Sequence, residues 1–110
     1  MKKITWLGNT HETIKSYSSN VKQEIGYNLD KVQINLEPID WKPLSSVGSG
    51  VKEIRIHEEN KYRVLYVAKF EESVYVLHAF VKKTEQTLKR DIDLAKRRYT
   101  EMLEIRRTKK

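Results

Sequence analysis

The sequence predicts an α+β fold of order β-α-α-β-β-β-α, with helices packed on a small, mainly antiparallel sheet. Three observations predict it: apolar residues recur at helical spacing before residue 38, alternate with period two from Val51 to Val81, and return to helical spacing after Leu88. With 110 residues, 38% of them apolar, and only 4 Gly and 2 Pro, the chain has material for one modest core. A single domain over residues 1–110 is expected.

The elements follow in order. Lys3–Leu7 (KITWL) is β-branched and aromatic and stops at Gly8-Asn9, which reads as a strand closed by a turn. Asn9 followed by Glu12 marks a helix start, giving a short helix near Thr10–Tyr17. A longer helix follows Ser19-Asn20, with Gln23 placed to answer the cap. Its stripe is Val21, Ile25, Leu29, Val32 and Leu36, at spacings of 4, 4, 3 and 4, and Pro38 is expected to end it.

Residues 38–50 (PIDWKPLSSVGSG) hold both prolines and two of the four glycines, so they read as an irregular connector pinned by Trp41 and Leu44. Val51–His57, Tyr62–Phe70 and Ser73–Val81 then form three strands joined by short polar turns, an antiparallel meander by connection length. Alternation sets Ile54 and Ile56 against Glu53, Arg55 and His57. Arg63 interrupts an apolar strand, and burying it unpaired would cost several kcal/mol, so it must face a rim, a cleft or a carboxylate. The last helix spans Leu88 to Ile105, with Leu88, Ile92, Ala95, Tyr99 and Met102 as its stripe and Lys89–Asp93 and Arg97–Glu101 as i,i+4 pairs. A basic frayed tail is expected over residues 106–110.

Charge is polarised along the chain. Residues 1–60 carry 8 basic and 8 acidic side chains, whereas residues 61–110 carry 14 and 7, which is the whole net charge of +7. Such a field suits a phosphate backbone, although solubility or an acidic protein partner would use it too. The absence of Cys removes thiol catalysis, cysteine zinc sites and disulfides. The start (MKKITWLGNTHE) lacks the apolar region of a signal peptide, and no stretch approaches the roughly 20 apolar residues of a membrane helix. A cytoplasmic protein with no membrane partner is expected.

There is no phosphate-cradling glycine loop, nucleophile elbow or His-Glu-x-x-His, and His11, His57 and His78 lack metal-ligand spacing. No metal and no cofactor are called for. What remains is a set of cations on or just after neighbouring strands: Arg55, Arg63, Lys82 and Lys83. Gathered round one concavity they would hold a phosphate and stabilise charge building on it. From composition and spacing alone, a cross-strand acid for Arg55 and a solvated strand end at Lys82-Lys83 are the favoured account of the same residues.

The stretch Trp41–Tyr99 resembles the phage-derived HigB-type toxins of the RelE/ParE superfamily. The pieces that carry the likeness are the Trp-Lys-Pro-Leu loop, Gly-Ser-Gly-Val-Lys-Glu-Ile-Arg, Tyr62-Arg63-Val64-Leu65-Tyr66, Val76-Leu77-His78-Ala79-Phe80 with Lys82-Lys83, and Arg90-Asp91-Ile92. The resemblance implies a RelE-like small RNase fold and the toxin of a type II toxin–antitoxin pair. It implies an mRNA endoribonuclease (an mRNA interferase), commonly acting in the ribosomal A site without metal: the RNA 2′-OH attacks the adjacent phosphate and the 5′-oxygen leaves. Arg55 and Arg63 match the family's strand cations, and Lys82 or Lys83 the basic position after the last strand, where one would protonate the leaving oxygen. Glu53 stands where RelE-type relatives carry a further basic residue, so Glu53, His57 or the ribosome is left as general base. His78 reads as packing before catalysis.

The partners implied are mRNA, the ribosome with its rRNA, and a HigA-like helix-turn-helix antitoxin in a hetero-oligomeric complex. Lys89, Arg90, Lys96 and Arg97 on the last helix are the expected rRNA contacts. Two other functions remain open: a ParE-type toxin that binds DNA gyrase, and a non-catalytic RNA-binding phage accessory protein.

Overall fold

Both faces of the central strands are apolar, and both are covered. In a computed structural model, which describes residues 1–108, the sheet carries β1 (Lys3–Trp6), β2 (Trp41–Pro43), β3 (Val51–His57), β4 (Lys61–Val67) and β5 (Ser73–Lys82). The helices are α1 (Thr10–Lys15), α2 (Ser19–Gln33) and α3 (Lys89–Thr108). Strand order is β1-β5-β4-β3-β2; β1 runs parallel to β5 and the other neighbours are antiparallel, so the α+β expectation holds with a mixed sheet.

On one face Ile14 of α1 and Val21, Ile25, Leu29 and Val32 of α2 pack on Ile54, Ile56, Val64, Tyr66, Val74 and Val76. On the other, Ala95 and Met102 of α3 pack on Leu65, Val67, Tyr75 and Leu77. Two-sided burial explains why β4 and β5 read as nearly continuous apolar runs. Each fully buried aliphatic side chain contributes about 1.5–3 kcal/mol.

The chain departs from the expected order in the connector. Trp41–Pro43 is a fourth antiparallel strand, pairing Trp41 with Ile54 and Pro43 with Lys52, so the order is β-α-α-β-β-β-β-α. Pro43 hid it, yet proline is tolerated on an edge strand, and β2 is an edge. Trp41 is pinned beneath Lys52, whose Nζ lies 4.6 Å from the ring, and Leu44 packs on the α3 side. Helix α2 ends at Gln33, not at Pro38, because Asn35 takes φ 67° and the Leu36 N–H turns back to the Lys31 carbonyl at 2.9 Å. Leu36 therefore leaves the stripe and is exposed.

At the other end α3 continues to Thr108. Arg106 donates to Glu72 at 2.5 Å and lies over the Phe70 ring at 3.5 Å, so residues 106–108 are helix and not a frayed tail; Lys109 and Lys110 lie outside the described residues. The Lys89–Asp93 pair forms at 2.7 Å, whereas Arg97 and Glu101 make no ion pair among the described residues.

One irregularity shapes the α3 face. Leu65 pairs with His78 but Tyr66 pairs with Val76, so Leu77 is an extra residue, a β-bulge. The bulge turns Leu77 and His78 both towards α3, so Val76 and His78, two apart in sequence, face opposite sides of the sheet. The Leu77 carbonyl accepts from Arg98 Nη1 at 3.0 Å, and Arg98 Nη2 donates to Asn9 Oδ1 at 2.8 Å. Asn9 thus holds the buried arginine instead of capping α1. Gly8, at φ 57°, allows this approach: a Cβ there would stand 2.6 Å from the guanidinium.

Candidate functional site

Strand register, more than any loop, assembles the candidate site. Glu53 and Arg55 are two apart on β3 and share a face; Lys42 pairs with Glu53, Arg63 with Arg55, Phe80 with Arg63, and Lys82 with Lys61. Helix α3 lies over β5, which leaves this corner of β2, β3 and β4 to its own side chains.

At the centre is Glu53, 1% exposed. Its Oε1 lies 3.8 Å from Lys42 Nζ, 3.6 Å from Arg55 Nε and 3.7 Å from Arg63 Nε. These are ion-pair distances, not hydrogen bonds, and both Glu53 oxygens and the Nε atoms of Arg55 and Arg63 make no hydrogen bond. Arg63, almost fully buried, donates Nη1 to the Tyr62 carbonyl at 3.0 Å. Burial pulls its pKa down, against the opposing pull of Glu53. The sequence demanded an acid, a cleft or a rim for Arg63, and the acid is Glu53.

Lys82, half-buried at the end of β5, belongs to the same field. Its pKa is lowered, first by desolvation, then by Arg63, Lys42 and Arg55, with Glu53 opposing. The corner therefore holds four basic side chains around one carboxylate, a strong surplus of positive charge. Such a corner favours an anion that approaches from the exposed ends of Arg55 and Lys42.

The other candidates separate by position. Lys83 is exposed past the end of β5; with His57, Lys61 and Lys82 it lines a groove of about 710 Å³ at the strand ends. His57 turns from the ring to Asp40, its Nε2 at 3.2 Å from Oδ2. His78 is on the α3 side, its Nε2 at 2.8 Å from Asp91 Oδ1 and its ring stacked on Phe80 at 5.0 Å. Burial lowers its pKa, with Asp91 opposing. Its geometry braces the start of α3. Lys89, Arg90, Lys96 and Arg97 are exposed along α3, outside the ring.

Sequence reasoning missed Lys42, because its strand was read as a loop, and Arg98 and Asp91, because only the bulge brings β5 to them. Period two at Lys42 and Trp41 is too short a signal to find β2. Among the described residues no cluster of His, Asp and Glu forms a metal site, and no helix is long and apolar enough to cross a membrane.

Two comparisons with known proteins bear on this arrangement. The family described as Phage derived protein Gp49-like matches residues 12–100, from α1 through most of α3, and so takes in every member of the ring. No curated protein matches the chain.

Proposed function

The chain belongs to the Gp49-like family of phage-derived proteins, a toxin-like family related to RelE and HigB, and from that premise we propose that it is the toxin of a type II toxin–antitoxin pair acting as an mRNA endoribonuclease. A RelE-like fold, a cytoplasmic site of action on ribosome-bound mRNA and a helix-turn-helix antitoxin belong to the same reading.

The observation that carries it is the ring of Lys42, Arg55 and Arg63 within 4 Å of Glu53, with Lys82 on the same face of the sheet, two positions past Phe80, the register partner of Arg63. Phosphoryl transfer gathers negative charge on the non-bridging oxygens, and preorganised cations stabilise that charge best where little solvent reorganises. Arg55 and Lys42 hold the phosphate, and Arg63, buried behind them, adds its charge to the field. The 2′-oxygen attacks phosphorus and its proton passes to water. As the bond from phosphorus to O5′ breaks, Lys82 protonates O5′, leaving a 2′,3′-cyclic phosphate and a 5′-hydroxyl. A lowered pKa suits Lys82 to that transfer. Glu53 is a positioning residue here: buried beneath the guanidinium groups, it fixes them without reaching the substrate.

Inducible expression with mapping of mRNA 5′ ends tests the proposal, comparing wild type with Lys82→Met and Arg55→Gln. New cuts that vanish in both variants support the nuclease. An induced DNA-damage response with intact mRNA would instead indicate a gyrase-directed toxin.

A further inference from the structure

Acidic side chains from the first 60 residues also meet outside the cation corner. Between α2 and the far end of β3 runs a groove of about 560 Å³. Glu24 of α2 and Glu58 past the end of β3 reach each other across it, within hydrogen-bond distance, while Asp40 is paired with His57 at 3.2 Å and Arg55 stands at one end. Two large apolar side chains line it without being buried by the fold: Tyr27 is 56% and Ile39 72% exposed. Exposed large apolar side chains in a groove are what a binding surface needs and what solubility opposes.

We propose that this groove docks a basic amphipathic helix of a partner protein. The apolar stripe of such a helix would cover Tyr27 and Ile39, while Lys or Arg beside that stripe would meet the adjoining carboxylates of Glu24 and Glu58. Charge decides the class of occupant. A nucleic acid would bring phosphates against three carboxylates, with Arg55 at one end, whereas a cationic helix is attracted by the carboxylates. Because Arg55 lines the groove and also contacts Glu53, an occupant would touch the cation ring; that consequence rests on the nuclease reading, while the docking does not.

The test is peptide titration of the full isotope-labelled chain, followed by amide chemical shifts. The probes are an 18-residue helical peptide of Leu, Ala and Lys, its twin with Glu for Lys, and an eight-residue uridine RNA. The Lys peptide should shift Tyr27, Ile39, Asp40 and His57, and Glu24→Lys, Glu58→Lys or Ile39→Asp should each weaken it at least tenfold. Equal binding of the Glu twin, shifts that map to another surface, no shifts at millimolar peptide, or the RNA shifting these amides would each overturn the proposal. Binding is read without turnover, so a chain that cleaves no RNA can still pass, and one that cleaves RNA can still fail.

Discussion

Arg63 Nε lies 3.7 Å from Glu53 Oε1, and both side chains are almost wholly buried on neighbouring strands. The desolvation of each is tolerable only because the other is present. Removing one partner leaves a buried uncompensated charge, so Arg63→Ala is expected to destabilise the protein by about 3–5 kcal/mol. Glu53→Gln should cost less, because Arg55 and Lys42 keep partial contact with solvent. The double change Glu53→Leu with Arg63→Met should recover most of the loss, which urea unfolding of the four proteins would show as strong coupling. Additive losses would mean that the two residues do not depend on each other.

Lys82 should trade stability for chemistry. Its folded pKa is below that of the unfolded chain, so the cost of charging it is fully present at neutral pH and is relieved as pH rises through the lowered value towards the ordinary lysine range, about 10.4. Lys82→Met is therefore expected to raise Tm at pH 7, with the advantage shrinking as pH rises. In the proposed RNA cleavage the same residue would act while protonated, so the rate should fall on the alkaline side through that pKa. Lys42→Gln removes a neighbouring cation and should move this limb to higher pH, while Lys82→Met should abolish it.

Much of this site was legible in the sequence, and the illegible part has a physical cause. Period two placed Glu53, Arg55 and Arg63, and an arginine inside an apolar strand demanded a rim, a cleft or a carboxylate, of which the fold supplies the carboxylate. The strand that contributes Lys42 is three residues long and ends in proline, so neither periodicity nor propensity could find it. The stripe of α2 was correct until Asn35 adopted positive φ, a choice that nothing in the apolar spacing encodes. The bulge at Leu77 is invisible for the opposite reason. Both faces of β5 are apolar there, so an inserted residue disturbs no alternation.

The bulge has a measurable consequence at His78. Its side chain is held between Asp91 and Phe80, and burial lowers its pKa relative to the unfolded value of about 6.5. The unfolded chain then binds the proton more readily than the folded one, so stability is lost as pH falls below about 6.5 towards the folded pKa. Thermal melts between pH 5 and 8 should show this acid-side loss. His78→Gln should flatten it, and Asp91→Asn, by removing the group that raises the pKa, should extend the loss to lower pH. An unchanged profile in His78→Gln would assign the acid sensitivity elsewhere.

The exposed cations of α3 should behave differently from those of the ring. Lys89, Arg90, Lys96 and Arg97 are solvent-exposed, and Lys89 already bridges Asp93 at 2.7 Å, so their substitution by Gln should leave Tm nearly unchanged. If they contact an RNA backbone, each lost phosphate contact reduces the slope of log K against log salt by about 0.7 for a single strand. Binding of a single-stranded RNA, measured by anisotropy across a salt series, should therefore lose slope in the fourfold variant. The cleavage rate at saturating RNA should be retained, because these residues attract the backbone and do not touch the reacting phosphate. Arg55→Gln should do the reverse, with the slope lowered by no more than one contact and turnover lost by orders of magnitude. A fourfold variant that lost turnover at saturation while keeping its salt slope would place the chemistry on α3 and not on the strands.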